Sequence, residues 1–353
     1  MPPVMPDEVV AFASAALETA GVPRGDASLV ADSLVTADLW GHQSHGVLRL
    51  RWYWDRLRAG VMEAVTRPEI VIDRGAVAVI DGHDGIGQVL AARAIELGIA
   101  RAKAHGIAAV GVRNSNHFGT AAYFTRAAPP RGCVAILTTN ASPAMAPWGG
   151  REKRVGNNPW SIAAPAGRRG TAVMDLANTA VARGKLYLAR QRGERIPEDW
   201  AMSADGRRTT DPSEGIDGML LPMGGHKGYV IALMLDVLAG VLTGSGFGTD
   251  VVGPYRSDRR SGCGHLAIVL DTEAFLAPDE LASRMDRLLD EVTSTPPAPG
   301  FDRVLYPGEL EARAEATARR EGIALPAATL ADLAALAHDA RVELPAWLQA
   351  SSS

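Results

Sequence analysis

Cysteine is nearly absent from this chain: Cys133 and Cys263 are the only two in 353 residues and lie far apart. That excludes a disulfide framework and the close spacing of a metal or redox pair, and it fits a reducing, cytoplasmic setting. No sign of charge dominates either, with 36 basic against 40 acidic residues, a net of −4 and no long run of one sign. Nucleic acid and membrane surfaces therefore find no electrostatic footprint, and small molecules remain the natural ligands. Long hydrophobic runs are missing too. The longest, Tyr229 to Leu242, is shorter than a membrane span and carries Asp236, so it predicts a buried helix. The start, MPPVMPDEVV, has no basic region leading into an apolar run and does not read as a secretory signal. No internal repeat is visible.

What is present suits an ordinary globular protein, 47 % hydrophobic and 22 % charged. The length exceeds the ~250–300 residues at which one core stops growing, so two packed lobes are expected. Residues 1–68 have helical periodicity. Asp7 and Asp26 are expected as helix caps, and a third helix runs from about Val47 to Leu57. On it Leu50, Trp54 and Leu57 share a core face, while Arg49, Tyr53 and Arg56 share a face free to meet a ligand. From about Glu69 short β-branched runs alternate with helical segments: EIVID, AVAVID, a helix from Gln88, IAAVGV, CVAILTT, WSIAAP, TAVMDLA and HLAIVLD. This predicts an α/β layer over 69–275. Arg190 to Asp217 reads as charged and turn-rich, and 276–353 as helical around a linker, TSTPPAPG.

Three loops after strands carry more polar residues than a connection needs: Asn114 to His117, Thr138 to Asn140, and Asp175 to Thr179. Ligands of α/β sheets bind at the carboxyl ends of strands, so the three together outline a pocket, although each alone also reads as turn and cap residues. Pro222 to Gly228 (PMGGHKG) leads into the apolar helix and brings free N–H groups and Lys227 to one point; this suits a phosphate, or merely close helix packing. Gly85 and Gly87 resemble the opening of a Rossmann fingerprint. Leu90 occupies the third small position and Arg113 stands where an acid belongs, so that site is rejected. His45 and His117 flank small polar residues and exchange protons near neutral pH; each is either an acid/base or a structural histidine. His42 and His45 lack a third ligand nearby, so no metal is expected. Arg49, one turn after His45, suits a carboxylate.

Together, GHQSHGVLRL (41–50), NSNHFGTAAYF (114–124), GNNPWSIAAP (156–165), DLANTAVARGK (175–185), LLPMGGHKGY (220–229) and LYPGELE (305–311) resemble the type-2 malate/L-lactate dehydrogenase family, the sulfolactate dehydrogenase-like oxidoreductases. The resemblance implies a non-Rossmann, mixed-sheet α/β nicotinamide-binding domain beside a helical domain built from both chain termini, with 276–353 packing on the N-terminal part. It implies a homodimer with its site near the subunit contact, NAD or NADP as coenzyme, and small carboxylates as substrates: 2-hydroxy acids, 2-oxo acids or cyclic imino acids. Carried over by motif, His45 and His117 are alternative acid/base residues and Arg49 holds the substrate carboxylate, with Ser44, Tyr53 and Ser142 as substrate contacts. Asn140, Asp175, Leu176, Ala177, Asn178, Thr179, Ala180 and Val181, His226 and Lys227, and Pro307, Gly308 and Glu309 are coenzyme contacts. Asn157, Asp236 and the Ser261-Gly262-Cys263 run depart from the family pattern and bear on substrate choice and pocket shape. Rival readings are a coenzyme-independent His/Lys lyase or hydrolase and a nucleotide-binding regulator without catalysis. The first turns substrate over with no nicotinamide; the second binds coenzyme without redox change.

Overall fold

The computed structural model describes residues 3–349. Seven strands form one mixed sheet: β1 (Glu69–Arg74), β2 (Val77–Asp81), β3 (Ile107–Ser115), β4 (Cys133–Thr139), β5 (Trp160–Pro165), β6 (Thr171–Leu176) and β7 (Cys263–Asp271). Their spatial order is β1-β2-β3-β7-β4-β5-β6, and only β2 and β3 run parallel. This is a mixed sheet, not the parallel doubly wound one of a Rossmann fold.

Helices cover both faces. Successive side chains of a strand point to opposite sides, so Val110 meets the helix Gly87–His105 on one face, while Gly111 meets Thr243 on the other. The apolar run on that second face forms the helix His226–Asp236 and a π-turn at Val237–Val241. A Cβ on Gly264 would fall 1.8 Å from the Ala239 carbonyl oxygen. Only glycine lets this helix lie so close to β7. The helix is not buried all round, although its composition predicts burial. Val230, Leu233, Met234, Val237 and Val241 are exposed along one stripe at helical spacing.

A second core joins the chain ends, drawing on residues from Val4 to Met62, Ile86, and Ile323 to Leu348. Val4 bridges Ile323, and Phe12 meets Trp347 edge-on at 5.8 Å. The helix Pro278–Thr293 behaves differently from the rest of the C-terminal segment. It docks on the turn after β5, where Arg169 pairs with Asp290 at 2.7 Å and Arg168 with Asp286 at 3.4 Å.

Other departures have local causes. Met5 and Pro23, not Asp7 and Asp26, stand at the two N-caps, and neither makes a side-chain cap. Proline at the first position of the first helix, and acids in the first turn of both, do that work instead. Two 3₁₀ turns, Gln43–His45 and Val47–Arg49, precede the third helix, Leu50–Arg58. Its Tyr53 and Arg56 are buried, so the face expected to be free is enclosed by protein. The stretch expected as turns between Arg190 and Asp217 carries parts of a three-stranded sheet and two helices with a small core of their own. Gly87 opens its helix because a Cβ there would lie 2.1 Å from the Asn116 carbonyl, so it serves backbone packing.

Candidate active site

The first wall of the site is the turn carrying Ser44, His45 and Arg49. The buried Asp38 carboxylate accepts the Val47 N–H at 2.8 Å and pins this turn to the preceding helix. A Cβ on Gly46 would fall 1.9 Å from Asp38 Oδ1, so the residue after His45 has to be glycine. Burial pushes the Asp38 carboxyl up to about 7 from 3.8. The folded protein therefore holds a proton that the unfolded chain releases, and stability falls as pH rises from about 4 through 7. Asp38→Asn is expected to flatten that part of the stability profile, measured by urea denaturation at stepped pH.

Arg49 donates from Nε to the Ser44 carbonyl at 2.6 Å and lays its guanidinium over the Trp52 ring at 4.1 Å. Among the described residues no carboxylate pairs with it. Burial lowers its pKa, as for any cation withdrawn from water without a partner.

The second wall is the end of β3. Asn114, in a left-handed conformation at φ 52°, anchors on Asp81. Asn116 is buried and structural, holding the carbonyls of Asp84 and Gly85 and accepting from Arg56, each at 2.9 Å. His117 follows. Its Nδ1 lies 2.6 Å from the Tyr53 hydroxyl and accepts the Gly119 N–H at 3.3 Å. Its ring stacks on that of His45, centroids 5.8 Å apart at 16°. His45 Nδ1 lies 2.9 Å from the Ser44 hydroxyl. Burial, then the Arg49 and His42 charges, lower His45 to about 3. Burial first, then His45 and Arg49, hold His117 well below its usual value. Both rings are neutral at physiological pH.

Ser44, His45, Arg49 and His117 line one cleft of about 230 Å³, with Ser142, Ala177, Thr179 and Arg183 on its far side. The Thr179 hydroxyl is buried there without a protein partner. A second cleft of about 450 Å³ takes in His42, Ala122, Asp175, Leu176, Pro307 and Gly308. The two adjoin along three continuous segments, 42–45, 119–122 and 175–177. The Asp175 carboxylate accepts the Ala122 N–H at 2.8 Å and is raised by burial to about 6. Val173 N–H donates to the Pro307 carbonyl at 3.1 Å, which fixes the 307–308 turn against β6.

Other expected contacts fall elsewhere. Tyr53 stands behind His117 with its hydroxyl directed at that ring, not in the cleft. Asn140 lines the cleft, but its amide protons go to Asp236 Oδ1 and the Gly246 carbonyl and its amide oxygen accepts from Gly264 N–H. Asn178 is buried and spends its amide protons on the carbonyls of Asn157 and Asn158. Ala180 N–H pairs with the Leu221 carbonyl, and Val181 packs in the small core with Leu186. Glu309 turns back to accept the Tyr306 N–H and pairs with Arg313. His226 and Lys227 are exposed at the start of the apolar helix, His226 beside Trp148, and line neither cleft. Their glycine-rich entry allows close packing, because a Cβ on Gly228 would lie 2.6 Å from the Asn178 carbonyl. His42 turns away from His45 towards Glu311 at 3.5 Å.

Sequence reasoning missed two residues. Asp38 and His265 are isolated in sequence; His265 bridges Thr139 and Ser115 at 2.8 and 2.6 Å across three strands. Cys263 lines the cleft as a buried thiol. An unusual pair, a buried acid next to an obligatory glycine, is the signal that pairwise reading of residues 38 and 46 can offer.

The family model described as malate/L-lactate dehydrogenase matches residues 4–334. The L-sulfolactate dehydrogenase of Methanocaldococcus jannaschii is 41 % identical over 84 % of this chain and 86 % of its own length. The solved structure of sulfolactate dehydrogenase from that organism superposes with a TM-score of 0.91 and 37 % identity, covering 97 % of this chain and 98 % of that one. The (2R)-3-sulfolactate dehydrogenase (NADP(+)) of Chromohalobacter salexigens is 40 % identical over 76 % and 80 %. The ureidoglycolate dehydrogenase (NAD(+)) of Escherichia coli is 35 % identical over 86 % and 87 %. The chain belongs to the malate/L-lactate dehydrogenase family and is an NAD(P)-dependent dehydrogenase.

Proposed function

We propose that this 2-hydroxy acid dehydrogenase moves a hydride between NAD or NADP and the carbon next to the carboxylate of a small 2-hydroxy or 2-oxo acid, with cyclic imino acids as the alternative substrate. The observation that carries the reading is one cleft lined by an unpaired guanidinium, Arg49, and two stacked neutral imidazoles, His45 and His117. The orphaned Thr179 hydroxyl and the adjoining cleft at Asp175 fit a dinucleotide: Ala177 and Thr179 beside the reacting end, Asp175, Leu176, Pro307 and Gly308 towards the other. When bound, the coenzyme supplies or accepts the hydride.

The protein fixes geometry and moves the proton. Arg49 receives the substrate carboxylate in paired hydrogen bonds and so turns the reacting carbon towards the histidines. Tyr53 O–H and Gly119 N–H both aim at Nδ1 of His117, which assigns its own proton to Nε2. His117 then offers an N–H to the substrate oxygen. His45 gives its Nδ1 proton to Ser44 and keeps Nε2 free to take the hydroxyl proton during oxidation.

A base of ordinary histidine pKa would lose activity below about pH 6.5. His45, held to about 3, stays unprotonated further down. With coenzyme saturating, kcat/KM for hydroxy acid oxidation is expected to stay flat from pH 8 to 5. An acid limb near 6.5 would remove His45 from this role.

The reading includes a homodimer in the cytoplasm. The exposed apolar stripe from Val230 to Val241 supports the dimer, and light scattering at twice the monomer mass checks it. Among the described residues no helix is long and apolar enough to cross a membrane. The function itself is tested by absorbance at the reduced-nicotinamide band with a panel of 2-oxo acids and cyclic imino acids, NADH and NADPH separately. Consumption with one panel member is expected. Turnover without coenzyme would point to a lyase or hydrolase, and coenzyme binding with no consumption to a regulator.

A further inference from the structure

Arg49 and Arg51 stand two residues apart where one helix begins, and their surroundings differ. Arg51 pairs with Asp55 at 2.9 Å and with Asp339 at 2.6 Å. Arg49 has no acid beside it: among the described residues no Asp or Glu lines its cavity, and its guanidinium carbon stands 4.1 Å from the centroid of the Trp52 ring. The spacing is local, since residues three apart in a helical turn are neighbours. Of the five guanidinium N–H groups, the one on Nε goes to the Ser44 carbonyl, and the four on the outer nitrogens make no hydrogen bond among the described residues. An aromatic face attracts a cation through its quadrupole and leaves those outer edges open. A carboxylate in its place would neutralise the guanidinium and occupy the edge that a substrate carboxylate needs.

The Trp52 ring is braced in turn. Tyr255 meets it edge-on, centroids 6.0 Å apart at 76°. Tyr255 lines the cleft, and its ring lies over Gly253, where a Cβ would fall 2.4 Å from Tyr255 Cε1. One turn beyond Trp52 on the same helix, the buried Arg56 donates to the Arg256 carbonyl. Two contacts thus fasten the segment 253–256 to the helix that carries Trp52.

We propose, resting on the reading of Arg49 as the receiver of the substrate carboxylate, that Trp52 is the positioning residue for that recognition. Its ring orders the guanidinium ahead of the substrate and leaves the charge and the outer N–H groups for the carboxylate, with Tyr255 bracing the ring. Without the ring, the Arg49 side chain is ordered by the substrate itself, at a cost to binding. That cost falls on ground state and transition state alike, so it raises KM for the acid and leaves kcat nearly unchanged.

The experiment compares Trp52→Leu, which removes the aromatic face, with Trp52→Phe, which keeps a smaller one, in the full chain at saturating coenzyme. The readout is kcat/KM for the panel acid that wild type consumes fastest, relative to the methyl ester of the carboxylate next to its reacting carbon. The ester lacks the charge that Arg49 receives. In Trp52→Leu the acid-to-ester ratio is expected to fall about 10-fold, the scale of a cation–π contact withdrawn from water. The fall is expected in KM for the acid, with kcat changed less than about threefold. Trp52→Phe is expected to keep the ratio within about threefold of wild type. An intermediate fall is expected for Tyr255→Ala, a ring exposed enough to be lost without unfolding. A merely structural role for Trp52 lowers acid and ester together and leaves the ratio unmoved, which overturns the proposal. Equal falls in Trp52→Leu and Trp52→Phe also overturn it, since an aromatic face would then not matter. If wild type consumes no acid with either coenzyme, the dehydrogenase reading fails, and thermal melting with oxamate, a carboxylate with no reducible ketone, decides the rest. Stabilisation of wild type and Trp52→Phe but not of Trp52→Leu supports the proposal. The same response in all three, or none in wild type, overturns it.

Discussion

His45→Asn is expected to lower kcat by about 10²- to 10⁴-fold, the usual worth of a positioned proton-transfer group, while the dissociation constant for coenzyme changes less than twofold. Asparagine keeps the size and a polar end but cannot exchange a proton. The two effects separate because His45 faces the small cleft, whereas the adjoining cleft at Asp175 and Gly308 does not include it. His117→Asn tests the division of labour. Its ring is oriented by Tyr53 and Gly119, and removing it is expected to slow turnover through lost stabilisation of the substrate oxygen, without changing the pH profile. Coenzyme titration by fluorescence and single-turnover absorbance decide both. Unchanged turnover in His45→Asn would sink its role.

Gly46→Ala is expected to cost roughly 1–3 kcal/mol of stability, the range for overpacking a tight interior, and most of the activity with it. The added methyl would lie 1.9 to 2.3 Å from three atoms of the Asp38 carboxyl group, which is itself buried and bonded to the Val47 N–H. Relief requires the carboxylate to leave Val47 or the turn to move, and the turn carries His45 on one side and Arg49 on the other. A displacement of an ångström there misplaces both groups relative to the substrate. Calorimetry is expected to show a melting temperature lower by several degrees. In the double variant Gly46→Ala with Asp38→Ala the clash is gone, so stability recovers relative to the sum of the two single changes, while activity does not, because the anchor is gone too. Strict additivity in that cycle would mean that the two residues do not act on each other.

Much of this architecture is written in local pattern. The runs at 133–139 and 160–165 are strands to the residue because β-branched and apolar residues there are bounded by turns, and the helix from 87 to 105 ends at Gly106 in the left-handed conformation that glycine favours. His45, Arg49 and His117 stand out in sequence because small polar neighbours surround them, and all three line one cleft. Periodicity says which residues share a helix face, but not what that face meets. Arg49, Tyr53 and Arg56 do share one; Asn116 and His117 of another segment close over its middle and leave Arg49 to the cavity. The same limit explains the apolar helix, whose composition reads as buried although one stripe faces outwards. His226 and Lys227 have the local chemistry of an anion seat; they stand exposed at the helix start, His226 beside Trp148, and line neither cleft.

The sequence by itself determined most of the strands and helices and the α/β layering, carried by neighbours within a few positions, and the family, carried by motifs spread along the chain; it also singled out His45, Arg49 and His117, which line one cleft. Only the tertiary structure decided that Tyr53 stands behind His117, that Asp38 dictates glycine at position 46, and that Arg183 shares a cavity with Arg49. Those pairings join segments far apart in the chain, and contact between distant segments depends on how whole layers pack, which no local window of sequence contains.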